Sequence, residues 1–165
     1  MLNQKNQLAQ AKQLAVEFMH NLAEAIGEGV ERKVLYQRIV HTSVVTTGAM
    51  SACIYEKLSN GRLKGVAVEG LFPPQRAIKI MANENDVPSA RFIEKILNSE
   101  ILEAEEGIVG EVAKTAKPVF IPNAKEDPRV IKHQDQSLSV RSMIFAPLVH
   151  DEDCLGVIAV ANPSN

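Results

Sequence analysis

Apolar residues at Leu8, Ala11, Ala15, Phe18, Leu22 and Ala25 alternate between spacings of three and four, among residues that are mostly Gln, Lys, Asn and Glu. That is the seam of an amphipathic helix, and equally of a short coiled coil. Neither Pro nor Gly interrupts it before Gly27 and Gly29, which act as helix stops. Two readings stay open: the helix packs on its own domain, or it extends past the domain and pairs with its twin in a homodimer. The chain accordingly divides into an N-terminal helix, 1–29, and a main domain, 30–165. A second helix is predicted from about Glu31 to Thr46, its buried stripe supplied by Val34 or Leu35, Ile39, and Val44 or Val45.

Near Gly48 the period changes. Ala49 to Leu58 is rich in small, β-branched and aromatic residues, Ser59-Asn60-Gly61 is a hairpin signal, and Arg62 to Glu69 returns as a strand. Pro73-Pro74 cannot remain in a ladder and closes that strand. A mobile stretch is expected from about Gln75 to Val87. Pro88 and Ser89 then open a helix whose inner face would hold Phe92, Ile93, Ile96 and Leu97. The acidic segment Glu100 to Glu106 leads into Gly107-Ile108-Val109-Gly110 and a short helix to about Ala116, after which Val119-Phe120-Ile121 is a short strand. Asn123 to Gln136 is a polar loop in which Asp127-Pro128 has the form of a helix cap followed by Pro. Two final strands, Val140 to Val149 and Cys154 to Asn162, are joined by the four-residue turn His150 to Asp153. About four helices and five or six strands, segregated rather than strictly alternating, predict an α+β fold on an antiparallel sheet.

Composition narrows the function classes. A chain of 165 residues can bury one full core and is short for two. Its net charge of -2 supplies no basic face to displace counterions from nucleic acid. No apolar run approaches the ~20 residues that a bilayer requires, and the polar start lacks the core of a signal peptide. The expectation is a cytoplasmic protein. Cys53 and Cys154 lie far apart and form no C-x-x-C, so neither a structural zinc site nor any other metal site is expected, and both thiols are read as reduced.

Catalysis finds no pattern either. A nucleophilic enzyme needs a hydroxyl or thiol, a base, and a group that orients the base. Cys53 falls in a predicted strand, Cys154 follows an acidic turn that would raise its pKa, and no serine sits in a G-x-S-x-G elbow. His20 and His41 fall on predicted helices, and His150 with Asp151 and Asp153 reads as a solvated hairpin tip. Gly107-x-x-Gly110 lacks the Lys-Ser/Thr of a phosphate-binding loop and reads as a structural turn. The chain is not expected to be an enzyme.

The stretch from Glu106 through Ala124, with Gly107-x-x-Gly110, a short helix, Pro118-Val119 and an apolar strand, resembles the middle of a GAF domain. Asp127-Pro128-Arg129 resembles the family's D-P-R, Arg141-Ser142 through Pro147-Leu148 its R-S-x-x-x-x-P-L strand, and Gly156-Val157-Ile158 through Asn162 its closing G-V-I-x-x-x-N strand. These pieces follow in order over about Gly107 to Asn162. The resemblance implies a twisted antiparallel sheet of five or six strands, with helices on one face and a pocket covered by loops and short helices on the other. Gly70-Leu71-Phe72-Pro73-Pro74-Gln75 with Arg91-Phe92-Ile93-Glu94 is similar to GAF modules placed before bacterial metal-dependent serine phosphatase domains.

What the resemblance implies for function is a regulatory sensory domain that binds a small ligand or a partner. It would pass the signal to an effector domain absent from this chain, which ends directly after the last strand. The alternative is a dimerisation scaffold whose pocket binds nothing. Cyclic-nucleotide members carry N-K-x-F-D, whereas here Asn123, Lys125 and Asp127 lack the matching Phe; bilin-binding members use a loop cysteine that the Lys132-His133-Gln134 loop lacks. The cofactor therefore stays unknown, with covalent bilin and cyclic nucleotide disfavoured. The pocket candidates that the resemblance points to are Cys53, Phe92, Asn123, Arg129, His133, Arg141 and Phe145. In the absence of a ligand, Phe92 and Phe145 are expected to be core, Asp127 to cap a helix, and Arg141 to pair with a carboxylate.

Overall fold

A computed structural model describes residues 31–78 and 88–164. The heptad segment before Glu31 and the later part of the stretch expected to be mobile, 79–87, lie outside the described residues.

Helix α1 spans Arg32–Thr47 and ends where Gly48 adopts the left-handed conformation (φ 62°), which costs glycine no Cβ clash. Leu35, Ile39, Val40 and Val44 form the stripe that it presses on the sheet. Strand β1, Ser51–Lys57, is buried over its first five residues, on both faces, as expected of a strand with neighbours on each side. It pairs antiparallel with β2, Leu63–Glu69, through the Asn60-Gly61 turn. The register slips by one between Ile54 and Tyr55, leaving Val66 as the extra residue of a bulge. Because of that slip Leu63 and Val68, of opposite parity, pack on the same side.

Helix α2, Ala90–Ser99, begins at Ser89, whose hydroxyl accepts from the Phe92 N–H at 3.2 Å. Ile93 and Leu97 are its buried residues; Phe92, expected on the inner face, is 42% exposed. Such a short helix touches the sheet along one i, i+4 line, and Phe92 lies off that line. A two-residue strand β3, Ile101–Leu102, pairs with β2, then comes α3, Gly107–Thr115, and β4, Val119–Ile121. A single 3-10 turn at Gln136–Leu138 precedes β5, Met143–His150, and β6, Asp153–Ala161. The β5–β6 turn is shorter than expected: Asp151, at φ 54°, and Glu152 complete it, because the ladder reaches His150↔Asp153.

Among the described residues all strand pairs are antiparallel, in the order β3-β2-β1-β6-β5-β4. Side chains alternate across the sheet and feed two separate cores. On one face, Ala52, Ile54, Ala67 and Val160 meet α1. On the other, Cys53, Tyr55, Phe145, Val157 and Ala159 meet α2, α3 and the loops. This second face, called the cover face below, is the one to which a ligand pocket was assigned.

Candidate functional site

The cover face is roofed by α2, α3, the segment Leu71–Ile78 and the loop 122–142. Its floor is apolar, with Phe145 and Met143 almost wholly buried and Phe72 of the roof buried against it, except for one group of titratable side chains. Glu100, at the C-terminal end of α2, is 6% exposed, and Tyr55 on β1 is fully buried. Tyr55 stands opposite Gly65 on β2, and the Gly65 N–H in turn donates to the Glu100 carbonyl at 3.3 Å. A side chain at Gly65 would collide with the Leu97 carbonyl, so glycine here lets the end of α2 descend onto the sheet.

The Glu100 carboxylate accepts the Gln75 N–H on Oε1 at 3.1 Å; Oε2 has no hydrogen-bond partner, and the Tyr55 hydroxyl has no oxygen or nitrogen partner and lies beside the Cys53 sulfur. Burial without a paired cation pushes Glu100 up to about 7, only partly offset by the Gln75 N–H and Arg76. Burial, and then the negative potential of Glu100, pushes the Cys53 thiol up as well, which makes it a poor nucleophile at neutral pH. Tyr55 is raised by burial too.

Three consecutive residues of the roof are tied to three different elements. The Pro74 carbonyl accepts from His133 Nε2 at 2.8 Å, which fixes the proton on that nitrogen. Gln75 is held by Glu100. Arg76 forms a two-pronged pair with Glu106 at 2.7 and 2.6 Å, which lowers the Glu106 pKa. The first part of the stretch expected to be mobile is therefore anchored.

The seven candidates separate. Cys53 and Phe145 both lie in the floor, fully buried. His133 is half-buried at the roof contact just described. Asn123, Arg129 and Arg141 are exposed on the rim, and Phe92 is on the outer side of α2. Arg129 is engaged by Asp127 (2.8 Å) and Glu111 (3.4 Å). Arg141 makes no ion pair among the described residues; its N–H donates to the Asn162 side chain at 2.7 Å. Asp127 does not cap a helix. Its carboxylate accepts from the Arg129 N–H at 2.9 Å and grips its guanidinium, closing a turn and falling to about 2.

Sequence reasoning passed over Tyr55, Glu100, Gln75 and Arg76. Tyr55 is two residues from Cys53 on one strand and shares its face, a signal that was present. Glu100 was hidden in an acidic run whose other members are at the surface or half-buried. Lys132 was also missed: its ammonium donates to the carbonyls of Ala124, Asp127 and Val130 at 2.8, 2.8 and 3.2 Å, and so ties the loop together. Gly107 stands at φ 62°, and a Cβ at Gly110 would strike the Glu105 backbone, which makes the G-x-x-G turn a packing requirement.

A thiol redox pair is out of reach. Cys53 faces Ala159, and Cys154 lies five residues farther along β6, roughly 17 Å away at about 3.3 Å per residue. A disulfide needs Cα atoms within about 7 Å.

Comparison with known proteins places this geometry. The family model described as GAF domain matches residues 31–165. Among solved structures, the GAF domain of the Acinetobacter phosphoenolpyruvate-protein phosphotransferase is 19% identical, with 91% of this chain and 78% of that chain covered and a TM-score of 0.62. The nlh2 GAF domain of A. aeolicus in an inactive state is 15% identical, at 94% and 83% coverage, with a TM-score of 0.61. The free methionine-R-sulfoxide reductase of Neisseria meningitidis, in complex with its substrate, is 13% identical at 93% and 75% coverage, with a TM-score of 0.60. At these identities the likeness is one of fold. Among curated proteins, none matches the sequence significantly.

Proposed function

The chain belongs to the GAF domain family, whose members serve as regulatory sensory modules of signalling proteins, and from that premise we propose that it binds a small ligand or partner on its cover face. The change would pass to an effector domain outside this chain, in a cytoplasmic homodimer formed through residues 1–29. The likeness of the Gly70–Gln75 and Arg91–Glu94 segments to modules preceding serine phosphatase domains makes such a phosphatase the effector to test first. One observation carries the reading: a buried carboxylate oxygen without a partner, and a buried phenol with no oxygen or nitrogen partner, lie beneath a roof segment held by separate polar contacts. A domain that only packed would gain stability by replacing such groups with apolar ones.

Phe145 and Met143 of the floor and Phe72 of the roof are fully buried against one another's elements, and that favours the scaffold alternative. Melting of the dialysed protein against cyclic nucleotides, haem and a metabolite panel separates the two. A ligand present at 100 times its Kd adds about 2.7 kcal/mol to stability, a rise of several degrees. A flat response across the panel favours the scaffold. Sedimentation of the chain with and without residues 1–26 tests the homodimer, which equal monomeric masses for both would refute.

A further inference from the structure

Charge is distributed one-sidedly on the cover face. Among the described residues Glu100 is the one buried charged side chain, and the buried Cys53 and Tyr55 can only become negative. Among the described residues, three basic groups of the roof are engaged at its outer side, Arg76 on Glu106, Arg129 on Asp127 and Glu111, and Lys132 on three carbonyls, while Lys125 and Arg141 are exposed to solvent. Arg91 and Lys95 are exposed on α2. An anion entering the interior would lose its hydration and meet a carboxylate; a donor would meet two unclaimed acceptors, Glu100 Oε2 and Tyr55 Oη.

We propose that the ligand of this face is a small amine or guanidino compound, held by its N–H groups on the Glu100 carboxylate and the Tyr55 hydroxyl. The inference rests on the sensory reading above and narrows it to one ligand class. Entry requires the Leu71–Ile78 segment to lift, and its contacts through Pro74, Gln75 and Arg76 are the ones to be released. A cation is held best by the ionised carboxylate. Since burial brings Glu100 to about 7, binding strengthens as the pH rises through neutrality.

The test is melting of the full chain at about pH 6 and about pH 8. Agmatine, putrescine and ethanolamine are compared with nitrate, phosphate and cyclic AMP. The expected result is a rise with at least one amine, larger at the higher pH, and none with the anions. Glu100→Gln should weaken that amine about tenfold or more, the effect of losing one charge-assisted hydrogen bond. Tyr55→Phe should weaken it less, and it provides an independent arm should the Gln variant fail to fold. Stabilisation by an anion alone, or an amine effect untouched by both substitutions, overturns the inference and leaves the sensory reading intact. No rise with these probes or with the wider panel removes both.

Discussion

The two faces of the sheet are built from neighbouring residues of the same strands, yet they are different materials. The face under α1 uses Ala52, Ile54, Ala67 and Val160, small or aliphatic side chains that let one long helix lie close along the strands. The cover face uses Tyr55, Phe72, Phe145 and Met143, and is closed by two short helices and several loops. Aromatic rings need room and fill it with few atoms of backbone. Loops supply polar anchors in place of a continuous apolar stripe. One face is a seam between regular elements; the other is a container. Among the described residues, a buried, half-satisfied carboxylate is found only in the container.

Removing the largest occupant tests that contrast most strongly. Phe145→Ala should cost about 3–5 kcal/mol in urea unfolding, and a loss below about 1 kcal/mol would mean that the cover face is not packed. Next comes the carboxylate. A folded-state pKa near 7 against about 4.5 unfolded means that the native state holds the extra proton. Stability from this group is therefore full below about pH 4.5, falls as the pH rises to about 7, and is level above that. Glu100→Gln should remove this slope and stabilise the protein at pH 8 by at most roughly 3 kcal/mol, read from denaturant midpoints across pH. A steeper slope in the variant than in the parent would contradict the assignment.

On the opposite face, Ala52→Val inserts two methyl groups where α1 already touches the strand. It should cost about 1–3 kcal/mol, measured in the same unfolding assay. The smallest effect is expected where the α1 face runs out. Phe120 on β4 points away from the cover side, since its neighbours Val119 and Ile121 pack there, and it is 62% exposed. Phe120→Ser should change stability by no more than about 0.5 kcal/mol, and a larger loss would mean that something covers this edge.

The sequence was most legible where periodicity and turn chemistry agree. The second helix, expected at about Glu31 to Thr46, is found at Arg32–Thr47, and Val119-Phe120-Ile121 is a strand as expected. The Asn60-Gly61 hairpin and the Ser89 start of α2 follow from local chemistry that any context would honour. The strand β3 is two residues long and shows no period. Asp127-Pro128 carries a genuine capping pattern, but the Arg129 guanidinium competes for the same carboxylate and closes a turn instead. At the site, the family resemblance pointed to Cys53 and Phe145, and strand alternation is what puts both on the cover face. Glu100 comes down beside the strand position opposite Tyr55 because Gly65 lets a helix end approach the sheet, a tertiary event with no local signature.

The placement of β6 has a consequence for how the molecule comes into being. It is the last strand of the sheet in chain order, yet it lies between β1 and β5. Until it emerges from the ribosome, β3-β2-β1 and β5-β4 each lack the partner of their inner edge, and neither core can close. Folding must wait for the far end of the domain and pay for a loop that spans nearly all of it, the signature of a slow, high-contact-order folder. A nascent chain stalled short of Cys154 would present the raw edges of β1 and β5 to every other chain nearby.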